Sequence, residues 1–154
     1  MIRTIVEKDW PALKPLWNSL YEHQRAEGLL VSLPPNAYDL WVESFRPLLD
    51  RFATVLVADE NDDLVGFLAG SIRSLPTYFG GERIGYVSEI FVAESHRRHG
   101  IGDELLKAAR EWFARHDAKR MDLHVLTSNG AARDFYRRRG WTEELVQMTW
   151  QVPS

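Results

Sequence analysis

Between Arg83 and His116 the sequence changes period once, and this change constrains the chain more than any other feature. Arg83 to Val92 alternates like a strand, with Ile84, Tyr86, Ser88, Ile90 and Val92 expected on one face. From Gly102 to His116 the apolar residues recur at helical spacing. Ile101, Leu105, Ala109 and Trp112, flanked by Leu106 and Phe113, make one face. Asp103 with Lys107 and Glu111 with Arg115 are i,i+4 pairs on the other. Phe91-Val92-Ala93-Glu94-Ser95-His96-Arg97-Arg98-His99-Gly100-Ile101-Gly102 joins the two periods. Two glycines there let the backbone turn tightly and approach a ligand. The first N–H groups of the helix then point outward, with the positive end of its dipole behind them, an arrangement that binds phosphate. Met121 to Leu126 reads as the next strand, so a crossover from Val87 to Val125 implies parallel, right-handed pairing.

The remaining elements complete a sheet around this unit. Ile2 to Val6 alternates as a half-buried strand. A helix is expected from Asp9 to Arg25, with Asp9 as N-cap and Pro11 in the first turn. Gly28 and Pro34-Pro35 end it, and Asn36 opens a second helical pattern containing Tyr38, Trp41, Val42 and Phe45. Phe52 to Asp59 and Leu64 to Ile72 are hairpin strands about Asn61-Asp62-Asp63, and Gly80-Gly81 marks another turn. Gly130 to Arg139 reads as a short helix and Leu145 to Val152 as a last strand. The expectation is an α/β (α+β) fold: a mixed, mostly antiparallel sheet of six to seven strands flanked by about four helices, in a single domain over residues 1–154.

Composition narrows the chemistry. With no cysteine there is no disulfide framework, thiolate zinc site or cysteine nucleophile. MIRTIVEKDW, with charges of both signs, is neither a signal nor a transit peptide, and no apolar run spans a bilayer, so the expected location is cytoplasmic, away from membranes. A net charge of −3 argues against nucleic acid, and the run Arg133, Arg137, Arg138, Arg139 reads as a solvated face.

Familiar phosphate loops fail here. A Walker loop needs Lys-Ser or Lys-Thr where Asp103-Glu104 stands, and a dinucleotide fingerprint needs a small residue in place of Leu105. Arg97-x-x-Gly100-x-Gly102 instead resembles the pyrophosphate motif of the GNAT superfamily of N-acetyltransferases. Asn129-Gly130-Ala131-Ala132-Arg133-Asp134-Phe135-Tyr136-Arg137-Arg138-Arg139-Gly140-Trp141 resembles that family's Asn-x-x-Ala-x-x-Phe-Tyr-x-x-x-Gly-Phe block, with Trp141 for the final Phe.

The resemblance implies direct acetyl transfer from acetyl-CoA, a cosubstrate, to a primary amine in a ternary complex, without a metal. It implies that backbone groups of Arg98, His99, Gly100, Ile101 and Gly102 hold the pyrophosphate, with charge from Arg97 and Arg98. Phe91 and Val92 would pair with pantetheine through their backbones, and the Val92 N–H would face the tetrahedral oxyanion. Asn129 would cap the last helix and touch the pantetheine arm, while Arg133 would reach the 3′-phosphate.

Tyr136 is placed beside the thioester sulfur. Tyrosine titrates at about 10 and a thiol at about 8.5, so full proton transfer to the thiolate runs uphill by about 2 kcal/mol. Tyr136 is therefore expected to hydrogen-bond the departing sulfur. The amine must also lose a proton, which at pH 7 costs about 4.6 kcal/mol for a lysine-like group and about 1.4 kcal/mol for an α-amino group. Glu89, on the strand before the loop and opposite Ser88 and Ile90, is the candidate base, acting through water.

In the family, the first helices wall the acceptor site, which draws attention to Glu22, His23, Glu27, Tyr38 and Trp41. A small-molecule amine is the favoured acceptor. The alternatives are a protein N-terminus or lysine, and a non-catalytic acyl-CoA sensor on the same fold; homodimerisation is a further expectation.

Overall fold

Asn61 and Asp62 both adopt positive φ, 55° and 67°, between strands that end at Glu60 and restart at Asp63. Two consecutive left-handed residues make the tight hairpin turn whose twist suits antiparallel strands, and Asn and Asp tolerate that conformation. This hairpin is the centre of the sheet in the computed structural model, which describes all residues 1–154.

Five strands, β1 (Ile2–Thr4), β2 (Ala53–Glu60), β3 (Asp63–Ser74), β4 (Arg83–Val92) and β5 (Met121–Leu123), lie in the order β1-β2-β3-β4-β5. The first four pair antiparallel and β4–β5 pairs parallel, as the crossover implied. Four α-helices, α1 (Asp9–Ala26), α2 (Ala37–Phe45), α3 (Ile101–Arg115) and α4 (Gly130–Arg138), complete the fold. No helix is long and apolar enough to cross a membrane.

Residues Met1–His124 form one compact unit, with the sheet between two apolar layers. On one face α1 supplies Trp10, Leu13, Leu16, Trp17 and Leu20, and α2 supplies Tyr38 and Val42, against Val55, Val57, Phe67 and Ala69 of the sheet. On the other, α3 buries Ile101, Leu105, Leu106, Ala109, Trp112 and Phe113, the face expected from its period. A Cβ on Gly85 would lie 2.4 Å from the Phe113 ring, so only glycine lets α3 come this close to β4.

Asp9 is not an N-cap: Lys8 precedes the helix, and Asp9 is its first residue. The Asp9 carboxylate turns back instead, accepting the Val6 N–H at 2.8 Å and Arg3 at 2.7 and 3.0 Å. The charge of Arg3 draws it away from the helix end.

Strand β4 is interrupted. Ala69 lies opposite Glu89 and Gly70 opposite Val87, so Ser88 is an extra residue, a β-bulge. Alternation restarts after it with the opposite phase. Tyr86 before the bulge therefore shares the α1/α2 face with Glu89 and Phe91, while Ile90 and Val92 turn to the α3 side. The single face expected for Ile84, Tyr86, Ser88, Ile90 and Val92 is divided at this point. The pairing of β5 also stops here, since Gly85, Tyr86 and Val87 meet Met121, Asp122 and Leu123 and nothing pairs beyond. This is why β5 is shorter than the expected Met121 to Leu126.

Residues Val125–Ser154 form the second unit. Bidentate Arg133–Glu143 contacts of 2.8 and 3.1 Å tie α4 to the following chain. Leu145 to Val152, expected as a strand, belongs to no sheet. Its Leu145, Met148 and Trp150 are 79–90% exposed. A period-two pattern favours extended backbone, but a strand also needs a neighbour's N–H and C=O groups. The sheet accordingly has five strands rather than six to seven, within the expected fold class.

Candidate active site

The loop after β4 makes one 3₁₀ turn at Glu94–His96, extends at Arg97 and enters left-handed backbone at Arg98, φ 67°. Gly100 follows at φ 79°, a conformation that suits glycine, and stands at the N-cap of α3 without a side-chain cap. The helical ladder begins with Glu104 N–H to Gly100 C=O at 3.0 Å. The N–H groups of Ile101 and Gly102 thus have no acceptor within the helix. Arg97 donates its Nε–H to the Val92 carbonyl at 3.0 Å and lies 5.3 Å from the Phe91 ring, bracing the loop on β4. Arg98 and His99 are exposed.

The edge of β4 beyond the bulge is open. Ala93 N–H donates to Val65 C=O across β3, and antiparallel ladders alternate sides. Phe91 and Glu89 therefore direct their backbone groups to β3, while Ile90 and Val92 direct theirs to the edge that β5 leaves free. Arg97 occupies the Val92 carbonyl, and the Val92 N–H remains. Of the two residues expected to offer backbone groups there, the geometry turns Val92 outward and Phe91 inward.

Glu89 is 4% exposed. Its Oε1 accepts the indole N–H of Trp41 at 2.6 Å, and its Oε2 has no partner. The Ser88 hydroxyl, with one proton to give, donates to the Ala69 carbonyl at 3.2 Å. Burial pushes the Glu89 carboxyl up to about 7, while the Trp41 N–H opposes the rise by favouring the charged form.

Of the helix residues expected to wall an acceptor site, the structure brings only Trp41 to Glu89. Tyr38 is a core residue whose hydroxyl donates to the Trp10 carbonyl. Glu22 and His23 are exposed, and His23 faces Glu27 at 4.0 Å. Sequence reading missed Tyr21, whose hydroxyl is raised by burial and by the charge of Glu89. Its position one turn after Trp17 on the buried face of α1 was the available signal. It also missed Tyr86, which meets His124 Nδ1 at 2.8 Å beneath the Arg73 guanidinium, 3.7 Å from the ring. The bulge hid this one, because regular alternation puts Tyr86 and Glu89 on opposite faces.

In the second unit, Asn129 caps α4 as expected, its Oδ1 accepting the Ala132 N–H at 3.1 Å. Arg133 is engaged by Glu143 and by the Thr127 carbonyl at 3.0 Å, so its charge is already matched. Tyr136 is half-buried, 5.4 Å from the Trp141 ring, and burial pushes its hydroxyl up to about 12.

These features have a counterpart among known proteins. The sequence model of the acetyltransferase (GNAT) family matches residues 10–141. The chain belongs to this family and is an acyltransferase. It is 29% identical to the "Uncharacterized N-acetyltransferase YhfO" of Bacillus subtilis, over 99% of this chain and 98% of that protein. An N-alpha-acetyltransferase of Sulfurisphaera tokodaii is 30% identical over 75% of this chain and 71% of its own. The fold is similar to that of aminoglycoside N-acetyltransferase AAC(6')-Iy in complex with CoA, with a TM-score of 0.79 at 17% identity, over 100% of this chain and 95% of that one.

Proposed function

We propose that residues 1–154 act as one domain that transfers an acetyl group from acetyl-CoA to the primary amine of a small molecule by direct attack in a ternary complex. The observation that carries this reading is Glu89, a buried carboxyl beside the open edge of β4, with one oxygen held and one free. A base that titrates near the working pH removes protons most effectively, and Glu89 at about 7 meets that condition.

The chain's own groups suit coenzyme A. Ile101 and Gly102 N–H groups at the dipole end of α3 suit its pyrophosphate. The outward groups of Ile90 and Val92 suit the amides of its pantetheine arm, which would add like a strand. Acetyl-CoA supplies an activated thioester. The amine nitrogen forms a bond to the acetyl carbon, the carbon–sulfur bond breaks, and Glu89 takes the amine proton through water. An outward β4 N–H faces the developing oxyanion.

Tyr136 is assigned by its place in the family motif. Raised to about 12, its hydroxyl would give up a proton to a thiolate only at a cost of about 5 kcal/mol. It remains protonated and hydrogen-bonds the departing sulfur. Tyr136→Phe is expected to lower kcat about tenfold with little change in acetyl-CoA affinity; unchanged turnover removes Tyr136 from the mechanism.

The likeness to an aminoglycoside acetyltransferase favours a small acceptor, and the N-alpha-acetyltransferase relative from Sulfurisphaera tokodaii supports a protein N-terminus as the second reading. Thiol release from acetyl-CoA across aminoglycosides, polyamines and peptides with free N-termini separates them. Turnover confined to peptides reverses the acceptor assignment. Silence with every amine, while acetyl-CoA still binds, makes the chain a sensor.

A further inference from the structure

Glu89 is enclosed without a cation. Tyr21 faces it from α1, Trp41 from α2, and Tyr86 and Ser88 share its strand, with Ala69 opposite on β3. The Arg73 guanidinium lies over the Tyr86 ring, 3.7 Å from its centroid. Asp122 acts on the Tyr86 side with its carboxylate paired to Arg120 at 3.0 Å.

The indole of Trp41 is fixed by its neighbours. Phe45 packs 4.9 Å away between ring centroids, Tyr38 5.8 Å, Trp17 6.0 Å and Trp10 6.2 Å. An indole nitrogen donates and never accepts. Whatever the protonation state of Glu89, Oε1 must therefore accept. A carbonyl oxygen accepts better than a hydroxyl, so with Oε1 held by the indole the neutral carboxyl is favoured with its proton on Oε2, the oxygen without a partner.

We propose that Trp41 is a positioning residue for Glu89: by holding Oε1 it assigns the proton to Oε2, the single oxygen that exchanges it, and keeps the enclosed carboxylate ionisable. The catalytic consequence rests on Glu89 being the base. The control of protonation does not.

The hydrogen bond favours the charged form, since bonds to ionised acceptors are the stronger kind. Replacing the indole by a ring without N–H leaves both oxygens unpartnered. The Glu89 titration is then expected to move up by about one to two pH units, which from a carboxyl half ionised at about 7 is roughly a five- to fiftyfold loss of carboxylate at pH 7.

The test is the side-chain carboxyl 13C titration of Glu89 in the ligand-free protein, assigned by its disappearance in Glu89→Gln and compared between wild type and Trp41→Phe. If Phe does not fold, benzothienylalanine at position 41 keeps the bicyclic shape without the N–H. The acid limb of kcat/KM is followed in parallel. The expected result is the same upward displacement in both, with the KM for acetyl-CoA unchanged. A Glu89 titration that stays in place overturns the proposal, because a merely structural Trp41 would leave it there. If Glu89→Gln keeps full turnover, the base reading fails, and with it the catalytic use of the contact. The carboxyl titration still decides whether Trp41 controls the proton.

Discussion

Asp9 and Glu89 are both carboxylates with almost no solvent exposure, 3% and 4%, and their surroundings are opposite. Every oxygen of Asp9 is matched, one by Arg3 and the Val6 N–H and the other by Arg3 alone. Arg3 reaches Asp59 as well, at 2.9 Å. The Arg3 side-chain hydrogen bonds hold the Asp9 carboxyl below its usual range despite burial. Glu89 has an indole on one oxygen and nothing on the other, and burial wins. A buried carboxylate with a guanidinium joins β1 to α1, whereas one without a cation is left with a proton to exchange. Perturbed groups of the second kind gather where chemistry happens.

The largest expected effect breaks the comparison at Glu89. Glu89→Gln keeps the shape and the acceptor for Trp41 but cannot take a proton. It should lower turnover about 10²- to 10⁴-fold while leaving the fold intact by circular dichroism. Asp9→Ala should do the reverse, because it strands Arg3 and the Val6 N–H. A loss of about 3 kcal/mol is expected, read as a lower urea midpoint, with kcat per folded molecule unchanged. If both variants lose activity in proportion to stability, the distinction between the two carboxylates collapses.

What could be read without the structure divides along the same line. The loop from Arg97 to Gly102, the buried face of α3 and the Asn129 cap were legible because each is local: a spacing, a period, a side chain meeting an N–H three residues on. Glu89 was legible as a candidate but its state was not. Its indole partner lies 48 residues away, and burial is a property of the assembled layers. The Ser88 bulge defeats alternation because a period-two pattern cannot announce an extra residue. Leu145 to Val152 shows the converse failure, a strand pattern without a partner. The pairing of Arg133 was not legible, because Glu143, ten residues on, carries no local signal of it.

Stability against pH sharpens the contrast, since the two groups act with opposite sign. The Asp9 carboxyl is depressed, so its contribution is present above the unfolded value of about 3.9 and is lost as pH falls through the folded one. The Glu89 carboxyl is raised to about 7. Between its unfolded value, about 4.3, and 7 the native state holds a proton that the unfolded chain has released. Stability therefore declines as pH rises through that window and levels off above it, by about 4 kcal/mol at most. Urea unfolding of Glu89→Gln should match wild type near pH 4 and exceed it at pH 8. A wild-type curve flat from pH 5 to 7 would mean that Glu89 ionises as an ordinary carboxyl.

The smallest effect lies within the Arg3 network. Asp59 touches the same guanidinium as Asp9, but the two are not equivalent. Removing Asp9 takes the acceptor from three N–H groups, two on Arg3 and one on the Val6 backbone. Replacing Asp59 by Asn leaves Arg3 bidentate on Asp9 at 2.7 and 3.0 Å and keeps a side-chain acceptor in place. Asp59 Oδ1 has no hydrogen-bond partner, so an amide there gives up only part of one charged contact. Asp59→Asn should lower stability by about 1 kcal/mol, a third of the Asp9→Ala effect. In a double variant with Arg3→Met, the Asp59 loss should vanish, because its only side-chain partners are the Arg3 nitrogens. An Asp59 effect that persists without Arg3 would move the anchor of β2 to a different contact and leave Asp9 as the sole carboxylate held by that arginine.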